Sequence, residues 1–375
     1  MTGPRPVTGF VPPPYPYDRL DEAKAAAAAH DGGIVDLSIG TPNDPPPPEV
    51  VAALASSGAE RGYPPSIGSK AFREAAVRWM GRRFGIEVGT DSVAACVGTK
   101  ELVANVVGWL RLRLPERDSV LYPSVAYPSY EMGAMLAGCR PLPVDDLATV
   151  GDEDAARALC LWVNSPANPT GGLVDLGAAA AWGRAHGVPV LSDECYAEFT
   201  WDGLPHTILE HGLEGVLAVH SLSKRSNLAG LRVGFYAGDP ALVHYLSEVR
   251  KHAGFMVPGP VQAAAVVALD DDLHVDAQRE LYLERLTFFA DVLRGEGAKV
   301  DLPGGSFYLW AEVPGGGVEA PDGDAWGFTR SLAARGGVLV SPGDLYGPGG
   351  AGFVRAAMVQ PMDRLRLVAD RLAPG

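Results

Sequence analysis

Between Val93 and Phe235 the chain alternates short, strongly apolar runs with longer helical stretches, and most of the runs end in residues able to do chemistry. That order leaves few architectures open. Apolar runs this continuous predict parallel strands buried on both faces, with helices serving as the crossovers. Strands are expected over 93–97, 119–122, 158–163, 188–192, 216–219 and 233–237. Further strands at 304–310, 337–340 and 353–357 belong to a smaller unit with helices of its own. The fold class expected is therefore α/β: a three-layer α/β/α large domain with a mainly parallel sheet, plus a smaller α+β domain. Its boundaries fall at 1–45 (an N-terminal arm and part of the small domain), 46–275 (large) and 276–375 (small). Open α/β sheets bind ligands at the C-terminal ends of their strands, so the turns after the apolar runs carry the functional reading.

The most telling turn lies in the stretch 221–234, S-L-S-K-R-S-N-L-A-G-L-R-V-G. Lys224 stands between two apolar runs, where its ammonium can lose solvent, its pKa can fall and its amine can act as a nucleophile. Ser221 and Arg232 can both donate to an oxyanion such as a phosphate. Alone, each of these residues reads more readily as part of a surface loop, and the weight of the stretch comes from partners elsewhere. Gly98-Thr99-Lys100 turn a strand into a helix, exposing backbone N–H groups that suit a phosphate. Tyr127, in P-S-V-A-Y-P-S-Y, follows a strand and can stack on a flat heterocycle, with Tyr130 as second choice. Asp193 stands at the end of a buried run. Gly40, in I-G-T-P-N-D, allows a backbone to approach a ligand closely. Arg355 sits among apolar neighbours, and a lone arginine there calls for an anionic partner.

Taken together, these phrases resemble the fold-type I pyridoxal-phosphate enzymes of the aspartate aminotransferase superfamily. The likeness spans Gly40 to Arg355 and includes N-S-P-A-N-P-T-G at 164–171, where serine replaces the family's first proline, and D-E-C-Y at 193–196. By this resemblance pyridoxal 5′-phosphate is the cofactor and Lys224 holds it covalently. Gly98, Thr99, Lys100, Ser221 and Arg232 bind its phosphate, and Tyr127 stacks on its ring. Asp193 faces the ring nitrogen, while Asn168 and Tyr196 reach the phenolic oxygen. Gly40, Asn168 and Arg355 receive the substrate, Arg355 through the α-carboxylate. Tyr63, in G-Y-P-P-S-I-G, reaches the other subunit's site in a homodimer, and the proline-rich opening packs on the partner as an arm. Lys224, Asp193 and Tyr196 carry the catalysis.

Composition narrows the rest. A net charge of −14 argues against nucleic acid or an anionic membrane as partner, and requires a local cluster of cations for any anionic substrate. Arg225 and Lys251, with the basic stretch 250–258, are candidates for that cluster. Four scattered cysteines read as reduced thiols of a cytoplasmic protein. No metal-ligand spacing, leader or membrane span is visible. A Rossmann dehydrogenase is the rival fold, but no G-x-G-x-x-G follows a strand. A DNA-binding regulator would need a basic helix-turn-helix, and the proline-rich opening offers none. The expected activity is a pyridoxal-phosphate transaminase that takes amino acid and oxo acid substrates. The overall pattern is similar to bacterial N-succinyldiaminopimelate aminotransferases, which pair glutamate with N-succinyl-2-amino-6-oxopimelate in lysine and diaminopimelate biosynthesis. Another class I/II aminotransferase or a C–S lyase is the alternative.

Overall fold

The apolar runs become strands buried along their whole length. In the computed structural model, which describes residues 9–316 and 324–373, they are β2 (Val93–Cys96), β3 (Ser119–Tyr122), β5 (Ala158–Asn164), β6 (Val190–Asp193), β7 (Val216–Ser221) and β8 (Gly234–Gly238). With β4 (Arg140–Pro143) they form one seven-stranded sheet in the order β2-β8-β7-β6-β5-β3-β4. Pairing is parallel except at β8, which runs antiparallel to both β2 and β7. The sheet is thus mainly parallel, as the α/β expectation has it.

Alternation along each strand assigns side chains to two faces. In β7, Val216 and Ala218 pack with Phe72 and Trp79 of the helix Lys70–Phe84 and with the helix Gly259–Asp270. Leu217 and Val219 pack on the other face with the helices Thr99–Arg113, Ser129–Leu136 and Pro240–His252. Both faces are therefore covered, which is why these strands read as near-continuous apolar runs. Two features depart from that reading. β4 holds two prolines, has no buried residue and lies at the sheet edge, where proline is tolerated because one side of the strand needs no ladder donor. β8 cannot be told from a parallel strand by its composition, because it too is buried throughout.

Residues from both ends of the chain build the second unit. β9 (Tyr308–Glu312), β11 (Ser341–Pro342) and β12 (Phe353–Ala357) form an antiparallel sheet in the order β11-β12-β9. β1 (Val35–Asp36) pairs in parallel with β10 (Val338–Leu339). The helices Leu273–Gly295, Ala325–Gly336 and Met362–Leu372 cover this unit through Phe289, Leu332 and Leu365. The strand expected over 304–310 begins instead at Tyr308, because the chain turns at Ser306, whose φ of 70° breaks an extended run. The expected 337–340 strand divides, since the chain passes from β10 to β11 at Val340. No helix among the described residues is long and apolar enough to cross a membrane. The first eight residues of the expected arm lie outside the described residues.

Candidate active site

A cavity of about 250 Å³ opens where the C-terminal ends of β5, β6 and β7 meet the loop after β1 and the strand β12. Lys224 lies on its floor, in the one-turn helix Leu222–Arg225 that directly continues β7. Its Nζ donates to the Gly40 carbonyl. Burial pushes the ammonium down to about 8, and the positive charges of Arg355 and Arg232 push the same way. Asp193, at the end of β6, is buried, and burial raises its carboxyl above the ordinary value. Two donors oppose that rise: the Cys195 amide on Oδ1 at 3.2 Å and the Tyr130 hydroxyl on Oδ2 at 2.8 Å.

One end of the cavity is built to receive an anion. Gly98 precedes the helix Thr99–Arg113 without any side-chain cap, so the first N–H groups of that helix have no partner from a capping residue. Gly98 adopts φ 74° and ψ 147°, a region essentially closed to other residues, and a β-carbon there would run into the Arg232 guanidinium. Arg232 itself is held at φ 54° and ψ 56°, left-handed backbone that a non-glycine residue rarely adopts. Thr99 and Ser221 line the same end, Lys100 stands exposed at its edge, and Tyr127 forms a wall.

At the other end Arg355, 2% exposed, donates to Asn168 Oδ1 at 2.9 Å and to the Ser38 carbonyl, while its Nε has no partner. Its guanidinium lies 4.2 Å from the ring centre of Tyr308 and 4.8 Å from that of Tyr346. The Tyr196 and Tyr308 hydroxyls share a hydrogen bond of 2.8 Å. Among the described residues no carboxylate lies within 4 Å ion-pair reach of Lys224, Arg232 or Arg355. Arg355 is buried and Lys224 half-buried, and a cation taken out of water without a carboxylate partner costs several kcal/mol in desolvation, whereas Arg232 stands exposed. Such an arrangement is retained where anionic groups of a ligand offset that cost.

The cavity gathers Gly40, Thr99, Lys100, Tyr127, Asn168, Asp193, Tyr196, Ser221, Lys224, Arg232 and Arg355 from the sequence-based set. Gly98 lies behind Arg232 rather than on the wall. Tyr63 is on the outer surface of this chain, 95% exposed, beside a hollow lined by Pro65 and Gln262. Four expectations are corrected. Tyr130 does not face the cavity: it stacks on Trp162 at 5.0 Å with its hydroxyl turned to Asp193. Arg225 is buried against Glu198, Lys251 is exposed with Glu248 beside it, and Arg250 is buried against Glu101, so none of them reaches a ligand in the cavity. Tyr15, Tyr17, Cys195 and Tyr308 line the cavity without having been singled out as site residues. The proline-rich setting of Tyr15 and Tyr17 carries no strand-end signal, and Tyr308 was expected inside a strand.

Comparison with known proteins agrees with this arrangement. Residues 32–372 match the family model described as aminotransferase class I and II. A probable aminotransferase of Mycobacterium tuberculosis is 46% identical over 96% of this chain and 85% of its own length. A 4-dedimethylamino-4-oxo-anhydrotetracycline transaminase of Streptomyces rimosus is 42% identical over 96% of this chain and 99% of its own. Among solved structures, a probable N-succinyldiaminopimelate aminotransferase of Thermus thermophilus is 33% identical with a TM-score of 0.82, covering 95% of this chain and 98% of that one.

Proposed function

The chain belongs to the class I and II aminotransferases, whose cofactor is pyridoxal 5′-phosphate, and from that premise we propose how its own residues perform the transfer. The donor set fits the group: an uncapped helix start beside Arg232 suits a phosphate, and a buried amine stands in the same cavity as a buried carboxylate. When bound, the cofactor supplies the electron-withdrawing ring that acidifies the Cα–H bond of an amino acid and stores the amino group between substrates.

The residues divide the remaining work. Thr99, Ser221, Arg232 and the amides that follow Gly98 hold the phosphate, with Lys100 adding charge at the edge. Tyr127 would pack against its ring, Asp193 would serve its ring nitrogen, and Asn168 and Tyr196 would serve its phenolic oxygen. Arg355 clamps the substrate α-carboxylate as a fork, aided by Asn168 and by the close backbone at Gly40. Lys224 carries the cofactor between turnovers and, as a neutral amine, takes the proton from the substrate Cα. The observation that carries this reading is the Lys224 amine in one cavity with Asp193 and two arginines that have no carboxylate in reach among the described residues.

For the substrates the proposal takes glutamate as donor and N-succinyl-2-amino-6-oxopimelate as acceptor, and the likeness to the probable N-succinyldiaminopimelate aminotransferase of Thermus thermophilus supports the acceptor. The higher identity of the Streptomyces rimosus transaminase favours a second reading, a bulky ring ketone as acceptor. Initial rates over a panel of oxo acceptors with glutamate separate the two. The succinylated oxo acid is expected to give the highest kcat/KM. Faster turnover of a cyclic ketone would reject it in favour of the second reading, and faster turnover of aspartate-type or aromatic oxo acids would reject both.

The working assembly in this proposal is a homodimer in the cytoplasm. Four free thiols suit a reducing compartment, and the exposed Tyr63 ring is available to a second copy's cavity. A fully active monomer in solution would exclude that arrangement.

A further inference from the structure

The residue after Lys224 turns its side chain away from the cavity. Arg225 is buried, and its Nε donates to Glu198 Oε1 at 3.1 Å while Nη1 donates to the Ala268 carbonyl at 2.6 Å. Glu198 is buried as well and accepts two more donors, Trp79 Nε1 at 2.7 Å and Arg83 Nε at 2.8 Å. It stands in the turn Ala197–Phe199, immediately after Tyr196 and close after Asp193. One carboxylate thus joins the lysine's helix to the segment that carries the cavity's acid and phenol, and both to the helix Lys70–Phe84. Arg279, on the helix Leu273–Gly295, donates to the Glu198 carbonyl and brings the second unit to the same joint.

The geometry points to Glu198 and Arg225 as positioning residues that fix where Lys224 stands relative to Asp193 and Tyr196. Neither lines the cavity. A helix of four residues has a single turn and no stability of its own, so its placement is imposed from outside. An ion pair buried on both sides imposes it firmly: without Glu198, Arg225 keeps only the longer contact to Asp272 at 3.6 Å, and without Arg225, Glu198 is tied to the outer helix through Arg83 and no longer to the lysine's turn. Proton transfer and nucleophilic attack depend steeply on placement, and a misplacement of about 1 Å can cost on the order of a hundredfold in rate. The inference rests on the reading of Lys224 as the lysine that holds the cofactor.

The test uses holoenzyme variants Glu198→Gln and Arg225→Lys, with Arg83→Gln as the control. Arg83 shares the same carboxylate but belongs to the outer helix, so its loss weakens the fold without releasing the lysine's turn. The rate constant is read from the donor-dependent change in cofactor absorbance during a single half-reaction, beside Tm and cofactor affinity. Glu198→Gln and Arg225→Lys are expected to slow that step on the order of tenfold, with donor affinity and cofactor affinity nearly unchanged. Arg83→Gln is expected to lower Tm and leave the rate constant close to wild type. Wild-type rates in the first two variants, or equal slowing in all three, overturn the inference. Arg225→Lys keeps the charge and carries the test alone if Glu198→Gln does not fold. A wild-type protein whose absorbance ignores amino donors rejects the transaminase reading itself, and that result is visible before any variant is compared.

Discussion

Lys224 owes its chemistry to where it is buried rather than to anything local in S-L-S-K-R-S. An ordinary lysine loses its proton around pH 10.5, whereas burial brings this one down to about 8, with Arg355 and Arg232 pushing the same way. The neutral amine is the reactive form, so the folded pKa sets where reactivity is reached. Capture of added cofactor by the apoprotein is therefore expected to speed up as pH rises to about 8 and to level off above it. Stopped-flow absorbance checks this. A rate still climbing near pH 10 would mean the amine is solvated. At this scale the sequence was legible at Arg355, where an arginine inside an apolar strand is costly, and not at Arg225 or Arg250, equally buried arginines whose partners Glu198 and Glu101 lie far off in the chain. It was silent on Tyr130, whose hydroxyl supports Asp193 from behind, because a tyrosine near a strand end reads the same whether it faces a ligand or a carboxylate.

In the proposed function the cofactor phosphate falls to two short elements: the start of the helix Thr99–Arg113 and the left-handed turn at Arg232. They touch at Gly98, where the backbone conformation disfavours any other residue and an added β-carbon would displace the Arg232 guanidinium. Gly98→Ala is expected to cost on the order of 1–3 kcal/mol in backbone strain and to push the Arg232 guanidinium aside. Cofactor affinity should fall on the order of tenfold or more, measured by equilibrium titration of the apoprotein with Tm followed in parallel. Unchanged affinity would show that the phosphate is seated elsewhere. The strand–turn–helix order at 93–113 could be read because burial on both faces leaves an apolar signature followed by a glycine turn. β4 had no such signature, since an edge strand with two prolines and no buried residue resembles a loop. β8 had the signature but not its direction, since direction depends on which neighbours it meets.

Across the whole molecule, the cavity exists because distant parts of the chain converge. The β1–β10 pairing brings the loop after β1 to β12, so Ser38 and Gly40 offer carbonyls to Arg355 and Lys224. Asp44 holds that loop to the helix Leu273–Gly295 through two hydrogen bonds from Arg285, at 2.6 and 2.7 Å. Such pairings leave no local trace, which is why Tyr15, Tyr17 and Tyr308 were not foreseen as cavity walls, although the residues at the strand ends were. The central claim is that one buried amine at the end of β7 carries the cofactor. Reduction of the holoenzyme with borohydride, followed by peptide mass spectrometry, fixes the cofactor to the amine that holds it. The label is expected on Lys224 alone. Label on Lys24, Lys70, Lys100, Lys251 or Lys299 in its place would contradict the account.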